Sequence, residues 1–142
     1  MIPATDAEAV LIARALRLDN FFPEFNGEVC GKLFPRSGVG LYEAGARLIE
    51  QGETGYDLFV IIEGAVSVTL SMGTAVAEVA TLGPESVIGE IALLRDGTRT
   101  ATATAISVSR AFRLAYEDMG YVLQNNPELS AHLKALAHQR TS

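Results

Sequence analysis

Turn-forming residues recur throughout the middle of this chain, and their spacing limits what it can fold into. Between Gly38 and Leu114, glycine, proline and short polar clusters interrupt the sequence roughly every eight to twelve residues. Long helices cannot continue across such frequent breaks, whereas short strands joined by turns can. The apolar run 58–62 predicts a strand buried on both faces, and the alternation over 66–70 predicts a half-buried strand. The pattern indicates a mainly β domain.

About eight strand-like segments fit in this region, with one short helix before the last pair. The clearest segments are 47–49, 58–62, 66–70, 76–82, 100–106 and 108–114. In the segment 100–106, the threonines at alternate positions would share one face of the strand and the alanines the other. Eight such strands fit an antiparallel jelly-roll β-barrel, which is the fold we expect.

Helical patterns flank the strands on both sides. Residues 5–18 begin with Thr5, and Glu8 completes a capping-box pattern. The apolar stripe behind it consists of Val10, Leu11, Ala13, Leu16 and Leu18. Further helices are predicted over 28–33, 117–123 and 128–139. We therefore expect one structural domain in three parts: an N-terminal helical segment (1–36), a β-roll (37–115) and C-terminal helices (116–142).

The composition is that of a globular protein without a membrane span. Of 142 residues, 49% are hydrophobic, but no apolar run approaches the roughly 18 residues of a spanning helix. The N-terminus lacks the basic cluster and apolar core of a signal peptide. The single cysteine, Cys30, excludes an internal disulfide and fits a reducing compartment. We expect a cytoplasmic protein.

The formal net charge of −6 argues against a nucleic-acid surface. We expect no nucleic-acid partner, and any attraction for an anion must come from local groups.

The stretch 88–102 combines features that suit an anion site. Gly89 can adopt backbone angles closed to other residues. The apolar run 91–94 has room for about one and a half helical turns. A turn at Asp96-Gly97 then leads to Arg99. The first amides of a short helix lack intrahelical partners and point at whatever precedes them, which favours an anion.

The charged side chains of this stretch extend that interpretation. Arg99 can present its planar set of donors to two phosphate oxygens, and Glu90 can accept a hydrogen bond from a ribose hydroxyl. A phosphate and a hydroxyl group side by side describe a nucleotide. The alternative is that Glu90 and Arg99 form an ordinary surface ion pair at a strand–helix–strand corner.

The same stretch resembles the phosphate-binding cassette of cyclic nucleotide-binding domains, the family of bacterial catabolite activators, protein kinase regulatory subunits and cyclic nucleotide-gated channels. The residues that carry the resemblance are Gly89-Glu90-Ile91-Ala92-Leu93-Leu94 and Arg99-Thr100-Ala101-Thr102. The upstream motifs stand in the family's order: Tyr42-Glu43-Ala44-Gly45, Gln51-Gly52-Glu53 and Asp57-Leu58-Phe59-Val60-Ile61-Ile62-Glu63-Gly64. The resemblance covers about residues 20–140.

The resemblance implies a role for each residue of the cassette. Gly89 would let the backbone approach the sugar-phosphate, and Glu90 would accept the ribose 2′-hydroxyl. Arg99 would pair with the exocyclic phosphate oxygens, and Thr100 would add a hydroxyl or amide. The implied ligand-binding set is Gly89, Glu90, Ile91, Ala92, Arg99, Thr100 and Ala101, with Ile91 and Ala92 offering backbone amides.

Two departures from the family's pattern stand in the cassette. Thr98 replaces the proline that often precedes the arginine, and Ile88 replaces an aromatic residue before the glycine. The identity of the base stays open, because Thr100 can meet a guanine amino group while other members with this threonine prefer cyclic AMP; we favour cyclic AMP. A lid over the base would come from the last helices, with Leu129, Leu133, Leu136, Tyr121 and Arg140 as candidates, although such a stripe can equally be core.

The remaining function classes have less support in the sequence. A metal enzyme on this fold needs clustered histidines and carboxylates, and both histidines, His132 and His138, lie in the last helix. No nucleophile–base pair or acid pair is evident, so we expect no enzyme activity, no metal and no cofactor besides the ligand, cyclic AMP or cyclic GMP. We expect a sensor that moves its terminal helices and acts on an effector domain or partner outside this sequence, in an undetermined oligomeric state. The alternative is a jelly-roll interaction module that has lost nucleotide binding.

Overall fold

Two four-stranded antiparallel sheets form the centre of the structure, a computed structural model that describes residues 1–20, 22–89, 97–125 and 127–141. The strands are β1 (Gly38–Tyr42), β2 (Arg47–Ile49), β3 (Leu58–Glu63), β4 (Val66–Met72), β5 (Ala75–Leu82), β6 (Val87–Ile88), β7 (Thr102–Ala105) and β8 (Ser109–Leu114). The first sheet has the order β1-β8-β3-β6, and the second has the order β2-β7-β4-β5.

The prediction of a mainly β fold with eight antiparallel strands is confirmed, but the predicted closed barrel is not found. Within the described ranges the strands form two separate sheets. The chain changes sheet between β3 and β4 at Gly64, where φ is +96° and an added Cβ would lie 2.8 Å from the Cα of Ser109. It also changes sheet at every other connection between consecutive strands except the one between β4 and β5. The two sheets therefore exchange strands repeatedly along the chain and remain two separate layers.

The burial of individual strands confirms part of the sequence pattern. Residues 58–61 of β3 are buried in succession, as the continuous apolar run predicted. In β7 the alanines are buried and the threonines half-buried, but the strand is shorter than the predicted 100–106. The predicted alternation in β4 is wrong: Ser67 is buried, and the pairing with β5 shifts register between Val68 and Thr69.

In the described part of the chain, four α-helices flank the sheets: α1 (Asp6–Ala15), α2 (Gly27–Leu33), α3 (Tyr116–Asn125) and α4 (Pro127–Thr141). The capping box at the start of α1 is confirmed, with both reciprocal bonds present between Thr5 and Glu8. The predicted apolar stripe needs correction, because Val10 is 46% exposed and Ile12 is fully buried. The buried apolar positions of α1 are 9, 12 and 13, and position 16 at its end continues the helical spacing.

The buried apolar residues form two clusters on opposite sides of the first sheet. One joins that sheet to the helices and includes Ile12, Phe34, Leu58, Phe112, Met119 and Leu133. The other lies between the sheets and includes Phe59, Ile61, Val66, Ile88 and Ala103. Successive residues of β3 point to opposite faces, which is why this strand is apolar throughout.

Within the described ranges, no helix combines the length and the apolar character needed to cross a lipid bilayer.

Candidate functional site

Gly89 lies immediately after β6, where two other groups approach it closely. Its φ is +97°, a conformation that side chains with a Cβ rarely adopt. A Cβ added there would lie 2.7 Å from the carbonyl oxygen of Asp57 and 2.8 Å from an Nη atom of Arg99. Both distances are too short for a real carbon atom, so the position requires glycine.

Arg99 is buried against this glycine, and only 7% of its surface is exposed. Its guanidinium donates to the carbonyl oxygen of Asp57 at 2.9 Å and to that of Gly89 at 3.3 Å. A buried guanidinium must keep partners for its donors. The planar group is therefore held at the junction of the loop before β3 and the loop after β6.

Backbone pairing fixes the segment on which Arg99 stands. Its N–H donates to the carbonyl of Glu53 at 2.8 Å, and its own carbonyl accepts from the N–H of Gly52 at 2.9 Å. The N–H of Gly55 donates to the carbonyl of Gly97 at 2.8 Å, and Thr54 and Thr98 form an antiparallel bridge. The loop before β3 and the end of the cassette thus form a short antiparallel ladder.

The sequence interpretation missed two residues that support this site. A Cβ on Gly55 would lie 3.1–3.2 Å from nitrogen atoms of the Arg99 guanidinium, so this glycine makes room for the side chain. The hydroxyl of Thr102 accepts from the N–H of Gln51 at 3.0 Å and ties the loop to β7. Gly55 lies between the motifs quoted for the resemblance, and Thr102 ends the cassette motif without being assigned a role; local sequence carries no signal for either contact.

The side chain of Asp57, whose carbonyl holds Arg99, forms an ion pair with Arg113. Its Oδ2 accepts from the Nε of Arg113 at 2.7 Å and lies 2.5 Å from an Nη of the same residue, and its Oδ1 accepts from the N–H of Tyr116 at 2.9 Å. Tyr42 lies near this pair and has a raised pKa, because burial disfavours the phenolate; the charge of Arg113 opposes the shift and that of Asp57 adds to it.

The structure brings together part of the predicted set. Gly89 and Arg99 are in contact, and Thr100 and Ala101 follow as half-buried residues before β7. Glu90, Ile91 and Ala92 lie outside the described residues, as does the predicted short helix. Of the candidate lid residues, Leu133 is buried in the helical core cluster. The side chains of Tyr121, Leu129, Leu136 and Arg140 fall outside the described part.

Among the described residues, no group of three or more His, Cys, Asp or Glu side chains could hold a metal ion. His132 is half-buried in α4, and its pKa is lowered by burial and by the positive charge of Arg17.

A family model of the cyclic nucleotide-binding domain matches residues 40–126 of this chain. The matched range contains the strands from the middle of β1 onward, the complete cassette and α3.

Two sequence relatives and one solved structure illustrate the similarity. The cyclic AMP receptor protein of Thermus thermophilus is 31% identical over 101 residues, which are 70% of this chain and 47% of that protein. The cyclic nucleotide-gated potassium channel of Mesorhizobium japonicum is 31% identical over 97 residues, 68% of this chain and 26% of the channel. The crystal structure of a cyclic nucleotide-binding domain from Methylobacillus flagellatus has a TM-score of 0.72 over 97% of this chain and 78% of that chain, at 19% identity. The matched part thus spans less than half the length of either sequence relative.

Proposed function

Because the chain belongs to the cyclic nucleotide-binding domain family, we propose that it is a sensor domain that binds a cyclic nucleotide and moves its terminal helices in response. Its sequence relatives are a receptor and a gated channel, and the domain is a regulatory binding module rather than an enzyme. The observation that carries the proposal is the guanidinium of Arg99, buried and aimed at Gly89.

This arrangement suits a cyclic phosphate. Carbonyl oxygens are neutral acceptors, whereas a phosphate oxygen is charged and forms stronger bonds with a guanidinium. A nucleotide phosphate can therefore take over donors that now serve Asp57 and Gly89. The chain as a whole is acidic, so the attraction would be local to Arg99 and the groups around it and weakly dependent on the rest of the surface.

The remaining contacts follow the family resemblance. Glu90 would accept the ribose hydroxyl, Ile91 and Ala92 would donate backbone amides, and Thr100 would add a hydroxyl or amide. Ala101 would line the entry to β7, where a small side chain lets the ligand approach.

The preferred base in this proposal is adenine. The name of the Thermus relative, a cyclic AMP receptor, supports this choice, while the hydroxyl of Thr100 makes guanine the alternative to test. The output would act through an effector domain or partner protein, in line with the receptor and channel among the relatives.

Calorimetric titration with cyclic AMP and cyclic GMP tests the proposal, using protein that has been unfolded and refolded to remove bound ligand. We expect micromolar or tighter binding of at least one nucleotide. Arg99→Ala should weaken it by about 2–5 kcal/mol, because it leaves a partly desolvated phosphate without its cation. Arg99→Lys keeps the charge but loses the paired donors, so its affinity should lie between that of the parent and that of Arg99→Ala.

The matched control is Arg47→Ala, which removes an arginine whose side chain is 57% exposed and paired with Glu50. This variant should bind like the parent. Absence of binding by the parent with both nucleotides would favour the alternative, an interaction module that has lost its ligand.

A further inference from the structure

Two adjacent residues, Tyr56 and Asp57, contact the cassette and the start of α3 at the same time. On the cassette side, the ring of Tyr56 lies against Gly97, where an added Cβ would be 2.5 Å from its Cζ. The backbone carbonyl of Asp57 accepts from Arg99 at 2.9 Å and closely approaches Gly89. The dipeptide is thus fitted to both described ends of the cassette.

On the other side, both residues contact the first residue of α3, Tyr116. The rings of Tyr56 and Tyr116 are 4.8 Å apart between centroids, with a tilt of 36°. The Oδ1 atom of Asp57 accepts from the N–H of Tyr116 at 2.9 Å, and its Oδ2 holds Arg113 at the end of β8. A carboxylate at this end of a helix satisfies an N–H that has no intrahelical partner.

We propose that Asp57 is a positioning residue that couples occupation of the Arg99 site to the position of α3. The inference rests on the proposed function, because it specifies how binding reaches the C-terminal helices. Asp57 holds Arg99 with its main chain and α3 with its side chain. When a phosphate draws the guanidinium away, the carbonyl of Asp57 loses a donor, and its peptide and carboxylate shift together.

The main chain and the side chain of Asp57 have different partners, so substitutions of Asp57 can separate the two contacts. The hydrogen bond from Tyr116 goes to the side chain of Asp57, so shortening the side chain removes that bond and leaves the carbonyl that Arg99 uses. Replacement by asparagine keeps an acceptor oxygen for Tyr116 but removes the charge that Arg113 requires. The two variants separate the helix cap from the ion pair.

The first test needs no nucleotide and follows the amide resonance of Tyr116 by NMR in four proteins: the parent, Arg99→Ala, Asp57→Ala and the double variant. We expect Arg99→Ala to move this resonance in the parent background and to move it much less in the Asp57→Ala background. A residue with only a structural role would give additive changes. The control is Arg47→Ala, which should leave Tyr116 unchanged.

The second test titrates cyclic AMP and cyclic GMP into the parent and Asp57→Ala. We expect Asp57→Ala to retain binding within about tenfold, a change in the usual range of coupling between sites, and to lose the ligand-induced movement of the Tyr116 resonance. If Asp57→Ala does not fold, Asp57→Leu, which keeps the bulk of the side chain but has no acceptor for Tyr116 or Arg113, decides between the outcomes: a reduced response supports the proposal, and an undiminished one contradicts it.

Two results would overturn the coupling role: additive changes in the first test, or a full Tyr116 response in Asp57→Ala in the second. Failure of the proposed function has a different signature, since the parent would then bind neither nucleotide while the first test remained informative.

Discussion

At the scale of single residues, the site depends on how closely three groups approach one another. Gly89, Arg99 and the carbonyl of Asp57 meet within hydrogen-bond distance, and any atom added at Gly89 enters the space of the other two. Steric exclusion, and not only backbone freedom, selects glycine here.

We predict that Gly89→Ala destabilises the protein by about 2–4 kcal/mol, because it combines an unfavourable φ with two short contacts. The same clash should displace Arg99 and weaken nucleotide binding. Urea unfolding and calorimetry measure the two effects.

Gly45→Ala is the matched control for this variant. Gly45 has a similar φ of +93°, but an added Cβ would meet no atom of the described residues within 4 Å. Its cost should be limited to backbone strain of about 1 kcal/mol, with binding unchanged. Equal losses in the two variants would show that the contacts at Gly89 contribute nothing.

At the scale of elements, α1 is attached to the sheets by a residue of its own capping box. Glu8 accepts the N–H of Thr5 through Oε1, and its Oε2 lies 2.6 Å from an Nη of Arg110 in β8. The side chain of Glu8 is 8% exposed and that of Arg110 is 34% exposed. Glu8, which marks the start of the helix in the sequence, therefore also makes a tertiary contact.

We predict that Glu8→Gln lowers the free energy of unfolding by about 2 kcal/mol. The amide oxygen can still accept from Thr5, but Arg110 loses the opposite charge that the buried carboxylate of Glu8 provides. Chemical denaturation followed by circular dichroism measures the change.

Glu28→Gln provides the comparison, because it removes an ion pair with Lys32 in which both side chains are about three-quarters exposed. Exposed pairs of this spacing contribute less than about 0.5 kcal/mol. If the two variants lost equal stability, the contact with β8 would have no energetic role.

At the scale of the whole molecule, one apolar cluster joins the N-terminal helices, the first sheet and the C-terminal helices. Cys30 of α2 lies in this cluster with 2% of its surface exposed, and burial raises the pKa of its thiol from 9.0 to about 11. Ionisation of this thiol is therefore coupled to unfolding of the cluster in which it is buried.

We predict that this thiol makes the protein less stable in alkaline solution. Below pH 9 both states hold the proton, and between 9 and 11 the unfolded state releases it first. The free energy of unfolding should therefore fall over this window, by up to about 2–3 kcal/mol from this group. Denaturation of the parent and of Cys30→Ala under reducing conditions measures it, and parallel pH profiles would contradict the prediction.

Much of the fold was predictable because its signals are local. The number of strands follows from the spacing of turns, the start of α1 from Thr5 and Glu8, and the burial of β3 from its unbroken apolar run. Gly89 and Arg99 could be proposed as site residues for the same reason, since both lie in one motif whose order is written along the chain.

Only the tertiary structure decided what surrounds Arg99. Its carbonyl partner, Asp57, is 42 positions away in the chain, and Gly55 and Tyr56 face the cassette only because the loop before β3 pairs with residues 97–99. The division into two sheets and the exposure of Val10 likewise depend on how the elements pack. Periodicity specifies which residues form an element, but contacts between distant segments depend on strand order and register, which local sequence does not encode.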